Sequence, residues 1–213
     1  MQRGKFIVIE GIDGAGKSSV ATALCNFLAE KVLEGPEWLV RSAEPGGTDK
    51  GQEIRRLLKT PGGTNIPPMA ELLLFYADRA ITVEEVIKPA LEQGKWVVSD
   101  RHNLSTLAYQ GAGRGLRSET EILSHLVLDD FAPDFTIVLD IPAELGLARA
   151  RQRDGKLDRI EQAGLGFFTE ARRRFLEEAD KHPKRVVVVD AKQPLDDVIT
   201  EVLRLTWEHC ISE

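Results

Sequence analysis

The chain has 213 residues, 42% of them hydrophobic, and a formal net charge of −6 at pH 7. Its length and composition suit one sizeable core, so we expect a single domain spanning residues 1–213. The acidic balance argues against nucleic acid as a partner, two cysteines are too few for a disulfide scaffold, and no apolar run approaches a membrane span. These features predict a cytoplasmic protein that binds neither nucleic acid nor membrane.

Short apolar runs alternate with helical patterns along the chain. The runs are Lys5–Glu10, Trp38–Arg41, Lys95–Ser99, Asp134–Asp140 and Arg185–Val189. Several are near-continuous, as expected of parallel strands covered on both faces. Helical patterns lie between them at Ser18–Leu33, Lys50–Leu58, Met69–Glu92, Glu119–Asp129, Ala143–Gln152, Leu165–Ala179 and Leu195–His209. The alternation predicts an α/β fold with a five-stranded parallel sheet.

The first strand leads directly into a phosphate loop. Residues Gly11 to Ser18 match the pattern G-x-x-x-x-G-K-[ST], and a helical pattern follows them. The glycines of this loop let backbone N–H groups approach phosphate oxygens, and the helix directs its positive dipole end to the same anion. Lys17 can reach the β- and γ-phosphates, and the Ser18 hydroxyl can bind magnesium. The loop therefore predicts a nucleoside triphosphate site.

The third helical pattern, Met69–Glu92, carries an aromatic ring and a guanidinium one turn apart. Phe75 and Arg79 lie on the same helical face. An aromatic residue at helical spacing is usually part of a core, but a buried arginine needs a partner. A flat base stacked on Phe75 and hydrogen-bonded to Arg79 satisfies both side chains. Within the same pattern, Pro89 predicts a kink or an early helix end.

The third strand runs into Asp100, Arg101 and His102. The carboxyl ends of parallel strands form the ligand-binding edge of such sheets. Asp100 can hold the shell of a magnesium ion, and Arg101 can bind a phosphate through two hydrogen bonds. The fourth and fifth strands end at Asp140 and Asp190, which we interpret as structural turn residues.

Three arginines lie near the end of the Ala143–Gln152 helical pattern. Arg149 and Arg153 share one face of a continuous helix, whereas Arg151 points nearly opposite. The three could meet one ligand only if the helix ends or a folding lid covers the site, and Gly155 permits such an end. A solvated basic helix face remains the alternative. We delimit the candidate lid as residues 149–160.

Five motifs together resemble the thymidylate kinase family along nearly the whole chain. They are Phe6–Ser18, Glu44-Pro45-Gly46-Gly47-Thr48, Asp100-Arg101-His102, Leu104–Gly111 and Leu157-Asp158-Arg159-Ile160-Glu161. The lid arginines, with no arginine inside the phosphate loop, resemble the bacterial branch. The resemblance implies a three-layer P-loop α/β fold of the nucleoside monophosphate kinase type. It also implies phosphorylation of dTMP to dTDP with ATP and magnesium, in the supply of dTTP for DNA synthesis, by a homodimer.

The resemblance also implies residue roles. The implied catalytic residues are Lys17, Arg101, Arg151 and Arg153. Those implied to bind ATP are Gly11, Ile12, Asp13, Gly14, Ala15, Gly16, Lys17, Ser18, Ser19 and Arg149. Those implied to bind dTMP are Asp13, Arg55, Phe75, Arg79, Arg101, Ser105, Thr106, Tyr109 and Gln110. Ser18 and Asp100 would position magnesium, Asp13 would accept a hydrogen bond from the 3′-hydroxyl, and Tyr109 would crowd a ribose 2′-hydroxyl.

The sequence departs from the family pattern at one position and leaves two alternative functions open. The family commonly has arginine immediately before Glu-Pro-Gly-Gly-Thr, whereas this chain has Ala43, with Arg41 two residues earlier, about 7 Å along a strand. One alternative is a kinase for another nucleoside monophosphate or a deoxynucleoside. The other is a nucleotide-hydrolysing switch, against which the chain has neither an Asp-x-x-Gly after the third strand nor an Asn-Lys-x-Asp element.

Overall fold

A computed structural model of the chain describes residues 3–33, 35–60, 65–154 and 158–212, with 153 and 154 described by their backbone alone. Its strands form one parallel sheet in the order β2-β3-β1-β4-β5. Their bounds are β1 Phe6–Glu10, β2 Leu39–Ala43, β3 Trp96–Asp100, β4 Phe135–Asp140 and β5 Val186–Asp190. The predicted five-stranded parallel sheet is confirmed, with strand bounds within two residues of the predicted ones.

Helices cover both faces of the sheet. Their bounds are α1 Lys17–Lys31, α2 Asp49–Lys59, α3 Pro68–Thr82, α4 Lys88–Glu92, α5 Asn103–Thr106, α6 Arg117–Leu128, α7 Ala143–Asp154, α8 Leu165–Lys181 and α9 Leu195–Cys210. Two π-helical segments, Val83–Ile87 and Leu107–Gly113, and two 3₁₀ turns, Pro36–Trp38 and Glu161–Ala163, complete the fold. Among the described residues, no helix is both long enough and apolar enough to cross a membrane.

The central strand β1 is buried along its whole length. Because side chains alternate along a strand, Ile7 and Ile9 belong to the core cluster that includes α1, α8 and α9. Phe6 and Val8 belong to the cluster on the opposite face, which includes α4. The register pairs Ile9 of β1 with Asp100 of β3, so the carboxyl ends of these two strands lie side by side. This position brings the phosphate loop next to the residues that follow β3.

The third predicted helix has a π-helical interruption just before Pro89, the residue from which we predicted a kink or an early end. Regular α-helix ends at Thr82, and the π-turn Val83–Ile87 precedes α4, in which Pro89 is the second residue. The N–H of Lys88 bonds to the carbonyl of Val83, five residues back. The wider turn accommodates the proline, which has no N–H to donate and would clash with a regular preceding turn.

The sequence patterns missed the helical segment that follows β3. Residues Asn103–Gly113 form α5 and a π-helical continuation. The segment shows no 3.6-residue hydrophobic period, because apolar and polar residues of this segment are buried alike. The buried residues are Ser105, Thr106, Ala108, Tyr109, Gln110 and Gly111. This missed segment supplies four of the predicted dTMP-binding residues.

Candidate active site

The phosphate loop has the backbone geometry that its glycines predict. Gly11 and Gly14 have φ values of 132° and 80°, in the region that favours glycine. A Cβ on Gly14 would lie 2.1 Å from the carbonyl oxygen of Gly146 on α7. No side chain fits at position 14 without a shift of the backbone, so packing against α7 requires glycine there.

Lys17 is the first residue of α1 and its side chain is buried. Its Nζ donates to the carbonyl of Ile12 at 2.9 Å, which turns the ammonium back over the loop. Burial lowers the pKa of Lys17 to about 8, an effect that the Arg101 charge strengthens and the Asp13 and Asp100 carboxylates oppose. A phosphate bound in the loop adds negative charge, which favours the protonated lysine.

Ser18 and Asp100 meet where the phosphate loop adjoins the end of β3. The Ser18 hydroxyl donates to Asp100 Oδ2 at 2.7 Å, and Ser18 is exposed. Hydroxyl and carboxylate oxygens are ligands that Mg²⁺ accepts, so the pair fits a magnesium ion. Within the described part of the chain, no group of three or more His, Cys, Asp or Glu side chains could hold a metal ion. Phosphate and water oxygens would have to complete the coordination shell.

A cavity of about 710 Å³ opens over the phosphate loop. It is lined by seven of the residues predicted to bind ATP: Asp13, Gly14, Gly16, Lys17, Ser18, Ser19 and Arg149. Ile12 and Ala15 have buried side chains and so contribute to the loop through their backbone, and Gly11 has its carbonyl bonded to Arg101. We call this space the larger cavity.

The structure describes the side chains of two of the three lid arginines, and only one of these two lines a cavity. Arg149 lines the larger cavity and donates to the carbonyl of Ala191 at 2.9 Å. Arg151 is exposed on α7 and is not among the described residues that line either cavity. The side chain of Arg153 and residues 155–157 lie outside the described part of the chain. The predicted roles of Arg151 and Arg153 stay predictions.

A smaller cavity adjoins the larger one. Its lining includes every residue predicted to surround the base, and also Tyr109, which is predicted to lie against the sugar. The residues predicted around the base are Phe75, Arg79, Ser105, Thr106 and Gln110. These residues come from α3, α5 and the π-helical segment that follows it. The free volume is about 30 Å³, room for one or two water molecules. The side chains that line the smaller cavity therefore lie close together in this structure.

The buried Arg79 has a protein partner that sequence reasoning did not assign. Its Nε donates to Glu44 Oε2 at 2.8 Å, and both side chains are 2% exposed. His102 Nδ1 lies 2.8 Å from the other oxygen of Glu44. Burial alone would raise the pKa of Glu44, but the charge of Arg79 and the contact with His102 outweigh it and hold the pKa below its ordinary value. Arg79 thus has a carboxylate partner within the protein, and its predicted contact with a base stays a prediction.

Asp13, Arg101 and Tyr109 form a cluster at the boundary between the cavities. Arg101 donates to Asp13 Oδ1 at 2.7 Å and to the carbonyl of Gly11 at 3.0 Å. The Tyr109 hydroxyl donates to Asp13 Oδ2 at 3.0 Å and accepts from the Asp13 N–H at 3.1 Å. Burial would raise the pKa of Asp13, but the charges of Arg101 and Lys17 outweigh it and lower that pKa well below its usual range. Asp13 is therefore a carboxylate, able to accept a further hydrogen bond.

The remaining predicted cations lie on the rim of the larger cavity. Arg55 lines this cavity and donates to the carbonyl of Pro45 at 2.7 Å. Arg41, two residues before the Ala43 that stands where the family commonly has arginine, lines it too and donates to the carbonyl of Ser18 at 3.3 Å. Arg41 therefore brings its charge to the same cavity that Ala43 lines without one.

Sequence reasoning missed the carboxylate that organises the start of α5. Glu10, at the end of β1, is fully buried and accepts from the N–H groups of His102 and Ser105 at 2.9 and 3.1 Å. It also accepts from the Ser105 hydroxyl at 2.5 Å. Burial raises the pKa of Glu10 in spite of these bonds. The one signal in the sequence was a carboxylate at the end of an otherwise apolar strand.

A parallel sheet in this strand order, with a complete phosphate loop and a second cavity beside it, defines a P-loop protein with a nucleoside monophosphate kinase-like fold. The family model for thymidylate kinase matches residues 9–202. The chain belongs to the thymidylate kinase family.

Individual relatives agree with the family model. The chain is 49% identical over 201 residues to a thymidylate kinase of Shewanella amazonensis, a match that covers 94% of each chain. It is also 49% identical over 201 residues to one of Photobacterium profundum, covering 93% of each. A crystal structure of thymidylate kinase from Ehrlichia chaffeensis is similar with a TM-score of 0.78 and 31% identity, over 95% of this chain and 98% of that one. The resemblance seen in the sequence motifs and the fold that it implied are both confirmed.

Proposed function

We propose that this chain transfers the γ-phosphoryl group of ATP to dTMP, which yields dTDP for the supply of dTTP. Membership of the thymidylate kinase family supports this reaction. The observation that carries it is the pair of adjoining cavities, one over the phosphate loop and one lined by all of the predicted base-pocket residues. A kinase needs a donor and an acceptor site that meet, and these cavities share Asp13 and Arg101.

On the donor side, the phosphate loop and Lys17 would bind the triphosphate of ATP. Ser18 and Asp100 would hold magnesium, which when bound supplies positive charge to the phosphate oxygens. Arg149 lines the same cavity and would contact the nucleotide there. Arg151 and Arg153 would join the site from the lid, residues 149–160.

On the acceptor side, Phe75 would stack on thymine, with Arg79, Ser105, Thr106 and Gln110 around the base. Arg55 and Arg101 would bind the dTMP phosphate. Asp13 would accept a hydrogen bond from the 3′-hydroxyl. Tyr109, whose hydroxyl is already bonded to Asp13, would leave no room for a 2′-hydroxyl.

The chemistry follows from charge. The acceptor atom is a phosphate oxygen that is already ionised near neutral pH, so the reaction needs no strong general base. The barrier lies in bringing two polyanions together in line, and it falls when fixed cations neutralise them. Lys17 and Arg101, both held by bonds to the loop backbone, are positioned for this role.

We also propose that residues 1–213 form one kinase domain that acts in the cytoplasm as a homodimer. The family resemblance supports the dimer, and so do exposed apolar side chains on two packed helices. Ile122 and Leu126 of α6 are 66% and 76% exposed, and Met69 and Leu73 of α3 are 41% and 50% exposed. Each pair is four residues apart and lies on one helical face.

The reaction is tested by measuring ADP release from ATP and magnesium across a panel of nucleoside monophosphates and deoxynucleosides. We expect release to depend on dTMP, with dTDP as the product, and to stop when EDTA removes the metal. Release that favours another acceptor would keep the fold and reject the thymine pocket. Hydrolysis that no acceptor changes would point to a switch instead of a kinase.

A further inference from the structure

The two cavities meet at five described residues that line both of them: Asp13, Glu44, Pro45, Lys59 and Arg101. Two of these are cations. Arg101 already has a role implied by the family resemblance, whereas Lys59 belongs to none of the motifs that carry the resemblance. A cation at this junction lies where a donor phosphate and an acceptor phosphate would approach each other.

The backbone around Lys59 is fixed by its neighbours. Lys59 is the last residue of α2, where helix carbonyls lack partners within the helix. Arg159 provides one, since its Nε donates to the carbonyl of Leu58 at 2.8 Å. The guanidinium of Arg159 also forms an ion pair with the buried Glu71 at 2.6 Å. The end of α2 is thereby held against the turn that follows residue 157 and against α3.

The side chain of Lys59 is held by Asp158. Its Nζ lies 3.0 Å from Asp158 Oδ2, and the two side chains are 30% and 19% exposed. Asp158 is itself oriented, because its Oδ1 accepts from the N–H groups of Ile160 and Glu161, each at 2.9 Å. Glu161 Oε2 accepts in return from the Asp158 N–H at 2.8 Å. This reciprocal arrangement is a capping box, which leaves Oδ2 of Asp158 aimed at Lys59.

An ammonium carries three N–H donors, so the ion pair with Asp158 leaves donors for a second anion. The other cation at the junction, Arg101, is shared between Asp13, the carbonyl of Gly11 and the hydroxyl of Ser105. Lys59 is less committed to protein partners than Arg101. It can contact a ligand without giving up the bond that positions it.

We propose that Lys59 binds the phosphate of the acceptor nucleotide at the junction of the two cavities, and that Asp158 is the residue that positions it. This inference rests on the proposed function, because it assumes an acceptor with a phosphate. The alternative is that Lys59 and Asp158 only fasten the end of α2 to the turn after the lid. The two roles predict different effects of losing the Lys59 ammonium. Loss of a phosphate contact weakens the binding of dTMP alone, whereas loss of the fastening weakens the binding of dTMP and thymidine alike.

The test is calorimetric binding of dTMP and of thymidine, which lacks the phosphate, to four variants and the wild type. Lys59→Met keeps the length of the stem and removes the charge, and Lys59→Arg keeps the charge. Asp158→Asn removes the partner. Lys50→Met is the matched control, since Lys50 lies on the same helix, pairs with Glu85 and lines neither cavity.

We expect Lys59→Met to weaken dTMP binding by about tenfold to a hundredfold, the loss typical of one charge-assisted hydrogen bond. Thymidine binding should change by less than about twofold, as it has no phosphate to lose. Lys59→Arg should keep most of the affinity, and Lys50→Met should bind as the wild type does. Asp158→Asn should weaken dTMP binding by less than Lys59→Met does and leave thymidine binding unchanged, because the ammonium stays but loses the ion pair that positions it.

Equal losses of dTMP and thymidine in Lys59→Met would overturn the inference in favour of the fastening role, as would equal losses of the two ligands in Asp158→Asn. Undiminished dTMP binding in Asp158→Asn would reject the positioning role of Asp158. These results leave wild-type binding intact and so leave the proposed function standing. A wild-type protein that binds neither ligand would instead reject the proposed acceptor, and this inference with it.

Discussion

Arg101 adopts a left-handed backbone conformation, with φ at 76°. A non-glycine residue held there is strained by about 1 kcal/mol or more, so the surrounding contacts must compensate for it. The side chain makes bonds to Asp13, Gly11 and Ser105, and its guanidinium lies 5.1 Å from the centre of the Tyr109 ring. This backbone conformation redirects the chain at the end of β3, and the Arg101 side chain lies at the boundary between the two cavities. A conformation of this kind at this place is consistent with the phosphate-binding role proposed for it.

We predict that Arg101→Ala lowers kcat by about a hundredfold or more and leaves the protein folded, because a bidentate cation is lost at the transferring group. Steady-state kinetics at saturating ATP and dTMP would measure it, with circular dichroism to verify the fold. Arg101→Lys should recover only part of the loss, since one ammonium cannot replace the fork. Near-normal turnover in Arg101→Ala, with saturable dTMP binding, would reject the assigned role.

We predict that Phe75→Ala raises the KM for dTMP by about tenfold and changes the KM for ATP by less than twofold, because stacking of a base on an aromatic ring is worth about 1–3 kcal/mol. Phe75 lines the smaller cavity only. Phe27→Ala is the control, since Phe27 packs against Trp207 outside both cavities. Equal effects of Phe75→Ala on both substrates would mean that Phe75 is a core residue and no part of a base pocket.

The loop between β2 and α2 depends on helix α3 for its position. Glu44, at its start, bonds to Arg79, and the N–H of Gly46 donates to Asp78 Oδ1 at 2.9 Å. At its end, the Thr48 side chain accepts from the N–H of Gly51 at 3.0 Å and caps α2. Two adjacent residues of α3 therefore hold a loop that lines the larger cavity. The same helix presents Phe75 and Arg79 to the smaller cavity, so α3 supports residues at both cavities.

Asp78 makes this support sensitive to pH. Its side chain is fully buried, and Oδ2 has no hydrogen-bond partner among the described residues. Burial, with the nearby Glu44 charge, raises the pKa of Asp78 from 3.8 to about 7, although the Gly46 N–H opposes the shift. Because the folded protein binds this proton more tightly than the unfolded chain, the stability that it provides is complete below about pH 4 and lost as the pH rises through 7.

We predict that the free energy of unfolding of the wild type falls by about 2–3 kcal/mol relative to Asp78→Asn between pH 5 and pH 8. The amide cannot ionise, so it escapes the penalty of a buried carboxylate. Urea unfolding of both proteins at four pH values would measure the difference. Asp180→Asn, a change at an exposed carboxylate of α8, should run parallel to the wild type. Parallel curves for Asp78→Asn as well would show that Asp78 ionises normally in the folded protein.

At the scale of the whole molecule, the sheet order places β1 between β3 and β4. The phosphate loop after β1 and the Asp100–Arg101 pair at the end of β3 therefore become neighbours, although 82 residues separate Ser18 from Asp100. Helices α3 and α6 pack together at one side of this sheet and carry the exposed apolar pairs described above. Exposed pairs on adjoining helices are typical of a surface that a partner subunit covers.

We predict that the protein sediments at about twice its chain mass of 23.6 kDa and that Leu126→Asp converts it to the monomer. A buried charge without a partner would destabilise an apolar interface there. Leu165→Asp, at an exposed leucine of α8, should leave the dimer intact. Sedimentation velocity over a range of protein concentrations would distinguish them. A wild-type monomer at all concentrations would reject the dimer.

The sequence alone determined the features that depend on local order. The phosphate loop, the five parallel strands and the helices with a 3.6-residue period follow from patterns of a few neighbouring residues, and the structure bears them out. The family resemblance likewise rests on short motifs, which the comparisons confirm. Pro89 predicted a local break, and a π-turn lies beside it.

Tertiary structure decided which side chains meet. Glu44 pairs with Arg79 across 35 residues, and Glu10 holds Ser105 across 95, contacts that no local pattern encodes. The helical segment after β3 escaped prediction because burial on all sides removes the period that identifies a surface helix. In the sequence, Lys59 is an ordinary charged residue at the end of a helical pattern. Only the fold shows that it pairs with Asp158 and lines both cavities. The sequence determines which chemical groups the side chains carry. The burial and the ion pairs that set their protonation states arise only when distant segments pack together.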